Sequence, residues 1–225
     1  MTSVKAAIFD IGATLVTGPP IAPNKIIAQL IEGSSPTRVS DIIMKNDLKS
    51  AGQVCDALAC EYGRLSDYAV SEIHELWQSQ ICAAQALDGA KESVLALKAR
   101  GMMIGLLSDI WNPYFESVTK ALPEVVAASD AIVLSCLSGS RKPDKYNFGL
   151  VVKELGVEPG ECVMIGDTYT HDIRPALEMG MKAIWVLARP DREAEYIIKI
   201  LNGHCLVPTA TTADISQVAS AVIGI

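Results

Sequence analysis

The chain has 225 residues and a formal net charge of −7, and at about 150 residues per domain its length fits one large domain or two small ones. Half of the residues are hydrophobic and 20% are charged, a composition that excludes a disordered chain. The negative charge and the lack of any run of lysine or arginine argue against nucleic acid and against an anionic membrane as partners.

The N-terminal segment and the cysteines bear on where the protein is located. The apolar run at residues 6–9 is too short for a signal peptide or a membrane span. The cysteines form no Cys-x-x-Cys pair, so we expect reduced, buried thiols in a cytoplasmic protein. They are Cys55, Cys60, Cys82, Cys136, Cys162 and Cys205.

Five short apolar runs predict buried parallel strands. They lie at residues 4–9, 102–107, 131–134, 162–165 and 182–187. Between them, helical patterns end at a glycine, which is the usual residue just beyond a helix C-terminus. These patterns cover residues 90–100, 145–155 and 172–179. Strands that alternate with helices predict an α/β domain with a parallel sheet.

Residues 19–87 interrupt this alternation. They contain no convincing strand, but apolar residues recur there at steps of three and four, as on one face of a helix. The clearest series is Val70, Ile73, Trp77, Ile81 and Ala84, which we interpret as core positions. The sequence therefore predicts an α/β core of residues 1–18 and 88–225, and a helical insertion of residues 19–87 after the first strand.

Polar residues follow the predicted strands, and ligands bind beyond the carboxyl ends of strands in open α/β sheets. Asp10 follows the first run, Ser108 and Asp109 the second, and Asp167 the fourth, while Lys142 lies in the segment after the third. We interpret Asp109 as structural. The others suit phosphoryl transfer, because a carboxylate can attack phosphorus while a lysine and a hydroxyl balance and hold the phosphate oxygens.

Four segments carry a resemblance to a known family. They read FDIGATL at 9–15, LLSD at 106–109, RKPD at 141–144 and IGDTYTHD at 165–172. In this order they resemble the haloacid dehalogenase superfamily of hydrolases, most of which are phosphatases. The resemblance implies a Rossmann-like three-layer α/β/α core with a parallel sheet, and it identifies the helical insertion as a C1-type cap.

The resemblance also implies residue roles and a cofactor. Asp10 would be the nucleophile and a Mg²⁺ ligand, and Ser108 and Lys142 would be catalytic and bind the phosphate. Thr14 would bind the substrate. The Asp167 carboxylate and the backbone carbonyl of Gly12 would bind Mg²⁺, and Asp172 would hold the water molecules around the metal. The implied substrate is a small phosphorylated metabolite.

Gly12 departs from the family pattern, in which the phosphatases carry a general acid and base, an aspartate, at this position. General acid–base catalysis contributes about 10²–10⁴-fold, so the implied phosphatase is slow, selective for good leaving groups, or supplied with another acid such as His171. Three alternatives stay open. The first is a phosphonoacetaldehyde hydrolase that forms a Schiff base with Lys45 or Lys49. The second is a dehalogenase, although Asp167 argues against it. The third is a catalytically impaired binding protein.

Overall fold

The computed structural model describes residues 3–18 and 21–225. The predicted start of the core at residue 1 and the predicted start of the insertion at residue 19 lie outside the described residues.

A six-stranded parallel sheet forms the centre of the chain, with the strand order β5-β4-β1-β6-β7-β8. The strands are β1 (Ala6–Phe9), β4 (Met103–Ser108), β5 (Ala131–Leu134), β6 (Cys162–Gly166), β7 (Lys182–Val186) and β8 (Ala210–Thr212). Phe9 is in register with Leu106 of β4 and with Ile165 of β6. The ends of β1, β4 and β6 therefore meet at one edge of the sheet.

Helices cover both faces of this sheet. Ala7 and Phe9 point into one apolar cluster with α5 (Ala90–Ala99) and α12 (Val218–Ile223), and Ile8 points into a second cluster with α9 (Lys145–Leu155). The helices of this part of the chain are α5 (Ala90–Ala99), α6 (Asn112–Ala121), α7 (Pro123–Ala128), α8 (Ser135–Ser138), α9 (Lys145–Leu155), α10 (Arg174–Glu178), α11 (Pro190–Leu201) and α12 (Val218–Ile223). The predicted three-layer α/β/α arrangement with a parallel sheet is confirmed.

Within the described residues, four helices precede α5. They are α1 (Pro23–Leu30), α2 (Pro36–Met44), α3 (Ala51–Tyr62) and α4 (Asp67–Gln80). Ser35, Ser50 and Ser66 accept a hydrogen bond from a backbone N–H in the first turn of α2, α3 and α4, respectively, which satisfies donors that a helix start leaves unpaired. These helices share a separate apolar cluster that includes Trp77, as predicted, and also Trp111.

A two-stranded antiparallel ribbon lies where the chain enters and leaves the four-helix segment. It pairs β2 (Val16–Thr17) with β3 (Gln85–Ala86). The prediction that residues 19–87 contain no strand is therefore wrong for Gln85–Ala86. Two-residue strands carry no periodicity, and the pairing with β2 determines their conformation.

Two other elements differ from the predictions. Strand β8 is missing from them because it is only three residues long and consists of Ala and Thr without an apolar run. The helix predicted at 172–179 begins earlier, as a π-helical turn at Tyr169–Ile173, and continues as α10.

The cysteines are all free thiols, but only part of them are buried. Cys55, Cys136 and Cys162 are buried, as predicted, whereas Cys60 and Cys82 are exposed. The expectation of uniformly buried thiols is therefore wrong. Across residues 3–18 and 21–225, no helix combines the length and the apolar character that a membrane crossing needs.

Candidate active site

Six of the seven predicted site residues line one cavity of about 280 Å³ at the carboxyl edge of the sheet, namely Asp10, Gly12, Ser108, Lys142, Asp167 and Asp172. Asp10 directly follows β1, Ser108 ends β4, and Asp167 directly follows β6. Lys142 reaches the cavity from the loop between α8 and α9. Residues that are far apart in the sequence thus converge because parallel strands end at the same edge.

The ammonium group of Lys142 is buried between two carboxylates. Its Nζ lies 2.6 Å from Oδ1 of Asp10 and 2.6 Å from Oδ1 of Asp172. Burial opposes the charge on Lys142, but these two carboxylates outweigh burial and raise its pKa. Lys142 is therefore a cation throughout the physiological pH range and faces both acidic side chains at once.

The Asp172 carboxylate is held from two sides. Its Oδ1 accepts from Lys142, and its Oδ2 accepts from the backbone N–H of Thr168 at 3.0 Å. Burial raises the pKa of Asp172, and the ammonium of Lys142 opposes that rise. The side chain also lies directly against Gly166, where an added Cβ would be 2.4 Å from the Cβ and Cγ of Asp172.

Three buried carboxylates form a group that can hold a metal ion. Oxygen atoms of Asp10, Asp167 and Asp172 all lie within 4.8 Å of one another. Buried like charges at this separation repel each other unless a cation compensates them. Carboxylate oxygens are also the ligands that hard divalent cations such as Mg²⁺ prefer. The donor set therefore fits such an ion.

Arg189 is a residue of this cavity that the sequence reasoning missed. It lies at the start of α11, just beyond β7, and its guanidinium donates a hydrogen bond to Oδ2 of Asp167. Burial raises the pKa of Asp167, the charge of Asp10 adds to this rise, and Arg189 opposes it. The position just after a predicted strand was the available signal, since the other site residues were found in the same way.

A family model of haloacid dehalogenase-like hydrolases matches residues 4–180 of the chain. The chain belongs to the haloacid dehalogenase-like hydrolases. The match contains all four segments that carried the resemblance.

A curated relative matches a smaller part of the chain than the family model does. The glyceraldehyde 3-phosphate phosphatase of Pyrococcus furiosus is 32% identical over 97 residues, which are 43% of this chain and 40% of that phosphatase. The chain thus matches less than half the length of this curated relative.

Solved structures resemble the whole fold. A phosphatase of the same superfamily from Thermococcus onnurineus has a TM-score of 0.57 at 18% identity, covering 96% of this chain and 97% of that one. The 2-haloacid dehalogenase of Pseudomonas syringae has a TM-score of 0.64 at 18% identity, covering 98% and 99%. At this identity, both likenesses concern the fold alone.

In this hydrolase, a second layer of contacts holds the loop that carries Lys142. Oδ1 of Asp109 accepts from the backbone N–H of Lys142 at 2.9 Å, and Oδ2 accepts from Nε of Arg141 at 3.3 Å. The structural interpretation of Asp109 is confirmed by these contacts. Arg141 also donates to Oγ of Ser40 in α2 at 2.9 Å, which ties this loop to the four-helix segment.

The structure places two other predicted residues differently. Thr14 is completely buried and is not among the residues that line the cavity. Its hydroxyl has no hydrogen-bond partner among the described residues. His171, in contrast, lines the cavity, and its Nδ1 lies 2.9 Å from the hydroxyl of Thr170. Burial lowers the pKa of His171, so its neutral form is favoured at neutral pH.

The contact between Gly166 and Asp172 generates a structural prediction. We expect Gly166→Ala to push the Asp172 carboxylate out of hydrogen-bond range of Lys142, because the added Cβ has no space. Crystal structures and urea denaturation would measure this shift and a stability loss of about 1–3 kcal/mol.

Gly149→Ala is the matched control, because Gly149 lies inside α9 and its added Cβ would meet nothing within 4 Å. It should stabilise the protein by roughly 0.5–1 kcal/mol. An unchanged contact between Lys142 and Asp172 in the Gly166 variant would contradict the prediction.

Proposed function

We propose that this hydrolase is a Mg²⁺-dependent phosphatase that acts on a small phosphorylated metabolite through an aspartyl-phosphate at Asp10. The observation that carries the proposal is the buried Lys142 ammonium 2.6 Å from Asp10, at the point where three carboxylates meet. A nucleophilic carboxylate, a fixed cation and a metal-capable acidic group are the parts that phosphoryl transfer needs.

Mg²⁺ fits the donor set because it takes oxygen ligands and needs only one or two carboxylates. Asp10, Asp167 and the backbone carbonyl of Gly12 would hold the ion, and Asp172 would orient its water ligands. When bound, the ion supplies positive charge between the attacking carboxylate and the phosphate, which otherwise repel each other.

The side chains divide the reaction between them. A carboxylate oxygen of Asp10 forms a bond to phosphorus while the bond from phosphorus to the leaving-group oxygen breaks. The Ser108 hydroxyl donates to a phosphoryl oxygen, and Lys142 balances the charge on the phosphoryl group. Water then attacks phosphorus, inorganic phosphate departs, and the Asp10 carboxylate is restored. Position 12 carries no side chain that could protonate the departing oxygen, so this oxygen leaves as an anion and takes a proton from water afterwards.

The same proposal includes the division of the chain. Residues 1–18 and 88–225 would form the catalytic core, and residues 19–87 a C1-type cap that selects the substrate. The separate apolar cluster of α1–α4 and the hydrogen bond between Arg141 and Ser40 support this division. The free state of all six cysteines supports the cytoplasm as the location.

Asp10→Asn should abolish phosphate release, because an amide neither attacks phosphorus well nor replaces the carboxylate as a metal ligand. Lys142→Ala should be nearly as damaging. The measurement is phosphate release from a panel of phosphate esters, with Mg²⁺ and with EDTA, and EDTA should remove the activity of the wild type.

Asp56→Asn is the matched control, since Asp56 is exposed on α3. It should retain wild-type activity. Phosphate release that survives Asp10→Asn would place the reaction elsewhere. A wild type that binds phosphate esters without turnover would support the impaired binding protein instead.

Gly12→Asp should accelerate the hydrolysis of alkyl phosphates, whose leaving groups need a proton. An added Cβ at Gly12 would meet nothing within 4 Å, so the aspartate has space beside Asp10. The expected gain is up to the ~10²–10⁴-fold that a positioned acid contributes, measured as kcat/KM.

Gly12→Asn has nearly the same size but no acidic proton, and it should show no such gain. Aryl phosphates should change much less than alkyl phosphates in either variant. If the wild type hydrolyses alkyl and aryl phosphates at equal rates, a proton donor is already present, and His171 is the first residue to substitute.

One observation favours a second candidate, a phosphonoacetaldehyde hydrolase. Lys45 of the four-helix segment lines a cavity of about 460 Å³ together with Lys142 and His171. Borohydride should then trap an adduct of phosphonoacetaldehyde on Lys45, and Lys45→Arg should prevent it. Lys49→Arg is the control, because Lys49 is mostly exposed and pairs with Asp47. The phosphatase proposal expects no adduct.

A further inference from the structure

A further cavity, of about 200 Å³, lies between the four-helix segment and the start of α6. Its walls are mostly apolar and come from both parts of the chain. The residues that form these walls include Pro23, Met44, Ile110, Trp111 and Tyr114. An apolar cavity with a few polar groups is the usual form of a small-molecule site.

The aromatic wall of this cavity is held rigidly. The ring of Trp111 packs edge-on against Trp77, with 5.6 Å between the ring centroids. The indole N–H of Trp111 donates to Oε1 of Gln80 at 3.3 Å. Trp111 is 2% exposed, so packing and this hydrogen bond fix the orientation of its ring.

Two polar groups of the lining keep hydrogen-bonding capacity. Gln80 is 3% exposed, and within the described part of the chain only its Oε1 is used, by Trp111. Tyr114, whose side chain carries a hydroxyl, lines the same cavity. Asp109 contributes no uncompensated charge, because its two oxygens accept from Lys142 and Arg141.

This cavity of about 200 Å³ adjoins the site around Asp10. Asp109 lines both cavities. Burial raises the pKa of Tyr114 to about 12, and the charge of Asp10 adds to this rise, so the phenol lies within the field of the nucleophile. Gly18 makes this placement possible, because an added Cβ there would lie 2.4 Å from the Tyr114 hydroxyl.

We propose that this cavity binds the leaving group of the substrate, and that this leaving group is an aromatic alcohol of about one ring that carries a hydrogen-bond acceptor. The inference rests on the proposed phosphatase function. A cavity of about 150 Å³ accommodates a benzene ring, so the observed volume suits one substituted ring. The amide of Gln80 and the hydroxyl of Tyr114 would donate to its acceptor.

Two physical arguments favour an arene over a sugar or a polyol. Sugar hydroxyls in an apolar cavity would be left without partners, which strongly disfavours binding. A phenol has a pKa of about 10, so it can leave as an anion without being protonated. Such a leaving group suits a site in which residue 12 is a glycine and has no side chain to donate a proton. The shape of the cavity and the chemistry beside Asp10 therefore select the same class of substrate.

The test uses the full chain with Mg²⁺ and non-hydrolysable phosphonates, so that leaving-group reactivity does not enter the measurement. Calorimetry should show phenylphosphonate binding about tenfold or more tightly than methylphosphonate, from burial of the ring. Met44→Ala should enlarge the cavity, reduce this preference several-fold and improve the binding of 2-naphthylphosphonate. Gly18→Ala, which displaces the Tyr114 ring, should also reduce the preference.

Met102→Ala is the matched control, because Met102 lies just before β4, at the opposite edge of the sheet. It should leave the phosphonate preference unchanged. Equal binding of the two phosphonates, or an unchanged preference in both the Met44 and Gly18 variants, would overturn the proposal.

Acetyl phosphate separates this proposal from the proposed function, since its hydrolysis needs no aromatic site. Hydrolysis of acetyl phosphate that depends on Asp10, combined with equal phosphonate binding, would leave the phosphatase standing and remove the arene site. No hydrolysis of any phosphate would remove the phosphatase and, with it, the assignment of the cavity to a leaving group.

Discussion

The buried ammonium of Lys142 between Asp10 and Asp172 is the interaction on which the rest of the site depends. A buried charge without a partner costs several kcal/mol, so each of the three groups can be buried only while the others stay in place. The three come from the end of β1, the loop before α9 and the turn after β6. Their contact therefore requires the sheet register, the loop held by Asp109 and the close approach at Gly166 to be correct together.

Under the proposed function, the charges of the site also explain how an acidic protein attracts a phosphate. Three carboxylates, Asp10, Asp167 and Asp172, face two cations, Lys142 and Arg189. A bound divalent cation would reverse the net charge of this group from negative to positive. Metal binding, under the proposed function, thus prepares the cavity for a dianion although the net charge of the chain is −7.

Under the proposed function, catalytic groups and selectivity are carried by different layers of the molecule. The strand ends supply Asp10, Ser108 and Asp167, whereas α2 and α4 contribute Met44 and Gln80 to the adjacent cavity. Hydrogen bonds from Arg141 to Ser40 and from Trp111 to Gln80 hold the two layers together. Under the proposed function, changes at Met44 or Gln80 would therefore alter the preferred leaving group, whereas changes at Ser40 would also act on the loop that carries Lys142.

The sequence by itself determined the α/β class, the parallel sheet and most of the cavity residues, because apolar runs and the polar residues that end them are local patterns. Short elements such as β8 and the β2–β3 ribbon could not be predicted from the sequence. They show no periodic pattern, because pairing with distant strands stabilises them. Thr14 lies in a family motif, yet packing buries its hydroxyl away from the cavity. Only the tertiary structure decided that Arg189 contacts Asp167 and that Trp111 and Tyr114 line the cavity beside Gln80. These contacts join segments that are distant in the sequence, and the distance between such segments is set by how the helices pack on the sheet.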